Sequence, residues 1–222
     1  MPLDIVVGAQ WGDEGKGRIV DLLAEEADFV ARYSGGDNAG HTVTVGNSTF
    51  KLHLLPSGVV HPHTIGLLGN GMVINPATLL EEIDRVREAG IEVNPQRIRI
   101  SHAAHLITPG HLALDAAREE ARGAGKIGTT RRGIGPAYTS KVNRSGLRLE
   151  KILNPNVFME ELAAHLKDVN YQLERLYSAE QLEEQSILDH YKDYVKQLSP
   201  YIAEIGDIAT RCHHHCLTVI AV

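Results

Sequence analysis

The chain has 222 residues, 43% of them hydrophobic and 23% charged, which is enough to bury a sizeable core as one domain. Its 22 basic residues against 28 acidic ones give a net charge of −6, a balance that argues against a nucleic-acid partner. Two cysteines argue against a disulfide scaffold, and no apolar run approaches the ~20 residues of a membrane helix. Met1-Pro2-Leu3-Asp4 lacks the basic region of a signal peptide, so a cytoplasmic location is expected.

Taken in order, the apolar run over 3–7 predicts a short buried parallel strand, and 18–26 predicts the helix that follows the intervening turn. Further strands are expected over 29–33, 64–68 and 97–100, with helices over 77–89 and 112–124. In the first of these helices Leu79, Leu80, Ile83 and Val86 recur at helical spacing opposite Glu and Arg, the pattern of core packing rather than of a site. Two longer amphipathic segments, 157–176 and 179–197, follow without strands. This alternation predicts an α/β fold, a mainly parallel β-sheet with flanking helices and a P-loop-like nucleotide-binding core, carrying a helical subdomain. The expected division is a core over 1–150, a helical excursion over 151–205 and a divergent tail over 206–222.

The turn Gly8-Ala9-Gln10-Trp11-Gly12-Asp13-Glu14-Gly15-Lys16-Gly17 places glycines, a lysine and a carboxylate between strand and helix. Glycines let backbone N–H groups approach a phosphate, and the helix N-terminus adds partial positive charge. The Walker pattern is not met, because Arg18 follows Gly17 and the lysine lies inside the turn. A carboxylate at Asp13, in a loop built for anions, is costly unless it holds Mg²⁺ or takes a substrate proton. Taken alone, the turn also fits an ordinary glycine connection.

A second glycine-rich turn, Arg32-Tyr33-Ser34-Gly35-Gly36-Asp37-Asn38-Ala39-Gly40-His41-Thr42, follows the strand over 29–33. In open α/β sheets the carboxyl ends of the strands form the ligand crevice, so both turns are expected to face one site. His41 could donate a hydrogen bond or proton to a phosphate oxygen there. Residues 123–135, with Lys126, Arg131 and Arg132 among five glycines, read as a mobile basic loop able to order on an anionic nucleotide.

The two loops resemble the signature loops of the adenylosuccinate synthetase family. Leu54-Leu55-Pro56-Ser57-Gly58, Gly69-Asn70-Gly71 and Ile127-Gly128-Thr129-Thr130-Arg131-Arg132-Gly133-Ile134-Gly135-Pro136-Ala137-Tyr138 fit the same family in the same order. The resemblance implies a GTP-dependent ligase that joins IMP and L-aspartate to give adenylosuccinate, GDP and phosphate. It implies Asp13 and His41 as catalytic residues, with Gly12, Glu14, Gly15, Lys16, Gly17, Gly40, His41 and Thr42 at GTP. IMP would meet Asp13, Glu14, Lys16, Asn38, Ala39, Thr130 and Arg144, the last reaching across a homodimer interface. Without the family, Arg144 reads as one more solvated charge in a basic loop. Asp13 and Gly40 would ligate Mg²⁺, a cation that prefers hard oxygen donors.

Two positions depart from the family pattern: Asp37, where His is often found, and Arg131, where Gly is usual and a positive φ would restrict an arginine. The family's chain is about twice as long, and its aspartate, guanine and further IMP loops have no counterpart here. After Ile205 no family motif is recognisable, and Cys212-His213-His214-His215-Cys216 lacks the second pair of a zinc site. A shifted reading frame accounts for such a tail best. The alternative functions are a nucleotide-binding remnant without ligation, and a dimerisation partner for a full-length relative.

Overall fold

The computed structural model describes residues 3–9, 15–45, 48–206 and 219–221. Gly12, Asp13, Glu14 and the Cys/His tract at 212–216 lie outside the described residues. The elements run β1 (Leu3–Ile5), α1 (Lys16–Ala24), β2 (Phe29–Gly35), β3 (His41–Val45), β4 (Ser48–Leu52), β5 (Ile65–Ile74) and α2 (Pro76–Glu88). They continue with β6 (Ile98–Ser101), β7 (His105–Leu106), α3 (Pro109–Ala121), α4 (Ile134–Val142), α5 (Pro155–Tyr177), α6 (Glu184–Leu198), β8 (Ile202–Ala203) and β9 (Val219–Ala221).

The main sheet has the order β1-β9-β2-β5-β6-β8, with β7 paired to β5, and its ladders are parallel. It is the sheet expected from the alternation of strands and helices. β5 is the longest strand at ten residues and is largely buried, whereas β1, expected to be buried, is exposed at Leu3 and Ile5 because among the described residues it lies at the sheet's edge. β3 and β4 form a separate antiparallel hairpin, with His41 opposite Leu52, and this hairpin was not foreseen in the sequence.

Helix stripes meet the sheet in one large apolar cluster. Leu79, Ile83 and Val86 of α2, Phe158, Leu162 and Leu166 of α5, and Tyr191, Val195 and Leu198 of α6 pack with Leu68, Ile74, Ile98 and Ile100. The spacing of three and four residues puts each set on one face of its helix. The long helices thus share the core of the sheet. Two helix starts are capped by side chains: Asn75 accepts from Ala77 N–H ahead of Pro76, and Thr108 and His111 form a reciprocal cap on α3.

β9 lies between β1 and β2, pairing Ile220 with both Asp4 and Val30. Among the described residues β1 is joined to the sheet through β9.

Candidate functional site

Two of the glycine-rich turns meet at the carboxyl ends of the strands. Gly15, in the left-handed region at φ 83°, leads into α1, whose first turn is closed by Arg18 N–H donating to Gly15 O at 3.0 Å. A cavity of about 600 Å³ opens there, lined by Gly15, Lys16, Gly17, Arg18, Arg32, Ser34, Ala39, Gly40, His41, Thr42 and Ser57. The two loops touch, since a Cβ placed on Gly17 would come within 3.1 Å of His41 Cβ. Gly40 is equally confined, because a Cβ on it would lie 2.9 Å from the ring of His53.

The wall behind Gly40 is fixed by a carboxylate inside α2. Glu82 is 2% exposed and accepts from the backbone N–H of His53 at 2.6 Å, Leu54 at 3.0 Å and Leu55 at 3.1 Å. Three donors offset the cost of burying that charge. Arg32 spans the second loop, donating through Nη2 to Gly36 O at 2.8 Å and through Nη1 to His53 O. Burial pulls its guanidinium below the ordinary range, opposed by Glu82, Tyr138 and Asp37.

His41 is held neutral. Burial, then the charge of Arg32 and then His53, push its pKa down to about 4. Its Nε2 is buried and has no partner among the described residues. A neutral imidazole with an unfilled nitrogen beside a helix N-terminus can donate to an oxyanion without bringing a full charge.

Tyr138 joins three elements. Its hydroxyl accepts from Gly35 N–H at 2.8 Å and donates to Gly71 O at 2.9 Å, tying α4 to β2 and β5. The loop ahead of α4 is pinned to α3, where Glu119 accepts from Gly128 N–H at 2.5 Å and Asp115 from Gly133 N–H at 3.0 Å. The Gly128 N–H, followed by Arg122, holds the Glu119 carboxyl below its usual range. Within this loop Arg131 has φ 55°, so an arginine does adopt the left-handed conformation that a glycine would take freely.

Of the residues expected at the site, Gly15, Lys16, Gly17, Ala39, Gly40, His41 and Thr42 line one cavity. Asn38 is exposed at its rim in sequence, and Thr130 is exposed on the neighbouring loop. Arg144 stands apart, with φ 61°, on a second cavity of about 910 Å³ with Lys141, Arg148, Lys151 and His105. Arg32, Glu82, Tyr138 and Glu119 were not anticipated as supports for the site. Their signal was faint, a charged or aromatic residue inside an otherwise apolar strand or helix face. Among the described residues no group of three His, Cys, Asp or Glu side chains could hold a metal ion.

The family model described as adenylosuccinate synthetase matches residues 5–220. This chain belongs to the adenylosuccinate synthetase family. It is 48% identical over 204 residues to the adenylosuccinate synthetase of Clostridium novyi, covering 92% of this chain and 48% of that protein. Against the Moorella thermoacetica enzyme the identity is 50% over 207 residues, covering 93% and 48%. Among solved structures, fully ligated adenylosuccinate synthetase from Plasmodium falciparum superposes with a TM-score of 0.87 at 34% identity, covering 99% of this chain and 50% of that one. The chain therefore spans about half the length of the curated synthetases it matches. The family match also runs past Ile205, to residue 220.

Proposed function

We propose that this chain acts in the synthetase reaction, the GTP-dependent joining of IMP and L-aspartate to give adenylosuccinate, GDP and phosphate. The observation that carries the reading is the shared cavity, in which the N-terminal end of α1 and a half-buried, neutral His41 line the same space. Phosphoryl transfer asks a protein mainly for positioning and charge neutralisation, and this arrangement offers both. Backbone N–H groups of Gly15 and Gly17, with Lys16, would hold GTP phosphates. Asp13, assigned by family resemblance, would take the N1 proton of IMP. O6 then attacks the γ-phosphate, His41 donates to a phosphate oxygen, and the aspartate amine displaces phosphate from C6. Gly12, Glu14 and Thr42 would complete the GTP contacts, and Asn38, Ala39 and Thr130 those to IMP. Arg144, which lines a different cavity, would act on a partner subunit's nucleotide in a homodimer, as the family resemblance implies. A cytoplasmic location goes with this activity, and among the described residues no helix is long and apolar enough to cross a membrane.

The donors at the cavity suit Mg²⁺ in kind, because Gly40, Thr42 and Ser34 line it with hard oxygens and no thiol, and Asp13 would add the carboxylate. Bound there, Mg²⁺ would neutralise phosphate charge.

A second reading is a nucleotide-binding chain without ligation. The absorbance change on forming adenylosuccinate from IMP, GTP, Mg²⁺ and L-aspartate separates the two. Turnover lost in Asp13→Asn supports the ligase. Nucleotide binding without turnover supports the second reading.

A further inference from the structure

The basic loop over 127–133 is fastened to α3 at Gly128 and Gly133, and Arg132 reaches the other way. Its Nη1 donates to the carbonyl of Asp37 at 2.8 Å and stands 3.8 Å from Asp37 Oδ2. Asp37 is 2% exposed. Its Oδ2 accepts from Thr78 Oγ1 at 3.0 Å, in the first turn of α2, and its Oδ1 is buried with no partner among the described residues. A buried carboxylate with one unfilled oxygen is costly, so compensation must come from nearby positive charge. Three sources converge: the guanidinium of Arg132, that of Arg32, and the N-terminal end of α2. A cavity of about 430 Å³ borders Asp37, Thr78 and Arg132, leaving the Arg132 side chain room to close on the carboxylate.

We propose that Asp37 is a positioning residue that anchors Arg132 and so holds the 127–133 loop, with Thr130, against the Asn38–His41 loop. Main chain and side chain of one buried residue meet one guanidinium, so the two loops are tied without a partner on the loop itself. A loop held in place before its ligand arrives loses less conformational freedom on binding. The benefit to IMP rests on the function proposed above; the anchor does not.

Asp37→Asn keeps an acceptor for Thr78 and the carbonyl for Arg132 while removing the charge. Hydrogen exchange of the peptide over 126–133 is expected to quicken about tenfold, with peptides of β5 and α5 unchanged, because only this loop loses its charge-assisted contact. IMP affinity is expected to fall by a similar factor. Arg132→Gln, at a side chain 43% exposed, should give the same loop-confined loss, and the double variant should be no looser than the worse single one. Wild-type protection of 126–133 in either single variant, or additive effects in the double, would overturn the anchor. So would Asp37→Asn that loses protection across the sheet while Arg132→Gln leaves the loop protected, since Asp37 would then be a core residue only. Wild-type chain that fails to bind IMP would instead count against the proposed function, with the exchange result still deciding the anchor.

Discussion

Arg131 and the buried histidines carry the clearest consequences at the scale of single residues. Arg131 holds φ 55°, a conformation that costs an L-residue roughly 1–2 kcal/mol. Arg131→Gly should therefore raise stability by about 1 kcal/mol in urea unfolding, less the entropy that glycine adds to the unfolded chain. No gain would mean that the Arg131 side chain compensates through contacts such as its ion pair with Glu120 at 4.0 Å. The histidines act with pH. Burial, and then His165, Arg118 and His105, lower the pKa of His111 from 6.5 to about 3, and burial lowers His41 and His105 to about 4. An unfolded histidine takes a proton that the folded one refuses, so this stability is fully present above pH 6.5 and is lost as pH falls toward the folded values. For fully buried His111 the loss approaches about 1.4 kcal/mol per pH unit below 6.5. Urea midpoints at pH 7.5 and 5.5 should fall accordingly, and His111→Gln should flatten the dependence.

At the scale of elements, the second loop leaves β2 at a joint with β5 and α4, and Tyr138 is its pin. Tyr138→Phe leaves Gly35 N–H and Gly71 O without their partner, which should cost about 1–3 kcal/mol and loosen the second loop. Proteolysis near residues 35–41 would report the loosening, and unchanged resistance would remove Tyr138 from this role. The same elements show how much was legible in the sequence. Strands over 29–33 and 97–100 and the helix over 77–89 were visible because their apolar residues keep a single period, as Leu79, Ile83 and Val86 do. The joint was not visible, because Tyr138, Arg32 and Glu82 act across 21 to 103 positions of sequence and no local pattern carries such pairs. The β3–β4 hairpin was hidden by its first residue, His41, which belongs at once to the glycine turn and to the strand.

At the scale of the molecule, β9 joins β1, the strand ahead of the first glycine-rich turn, to β2. The run Leu217-Thr218-Val219-Ile220-Ala221-Val222 has a strand's composition, but without a family motif beside it that signal went unread. β1 pairs with β9, and β9 with β2, so removing residues 217–222 should free β1 and the turn that follows it. Nucleotide binding should then fail while β2, β5 and β6 stay protected from hydrogen exchange. The outer side of this edge is apolar: Ile5 is 65% exposed, Val7 76% and Leu22 66%, with Leu3 and Ile19 beside them. Such a patch invites association, so Ile5→Lys with Leu22→Glu should lower self-association in sedimentation. The central claim, that α1 and the His41 loop form one phosphate-handling site, is tested most directly by equilibrium binding of Mg²⁺–GTP to the wild-type chain and to Lys16→Ala. Binding that weakens about tenfold or more in the variant, with the fold intact, is the result predicted for a charged phosphate contact. A folded wild-type chain that does not bind, or a variant that binds equally well, would contradict it.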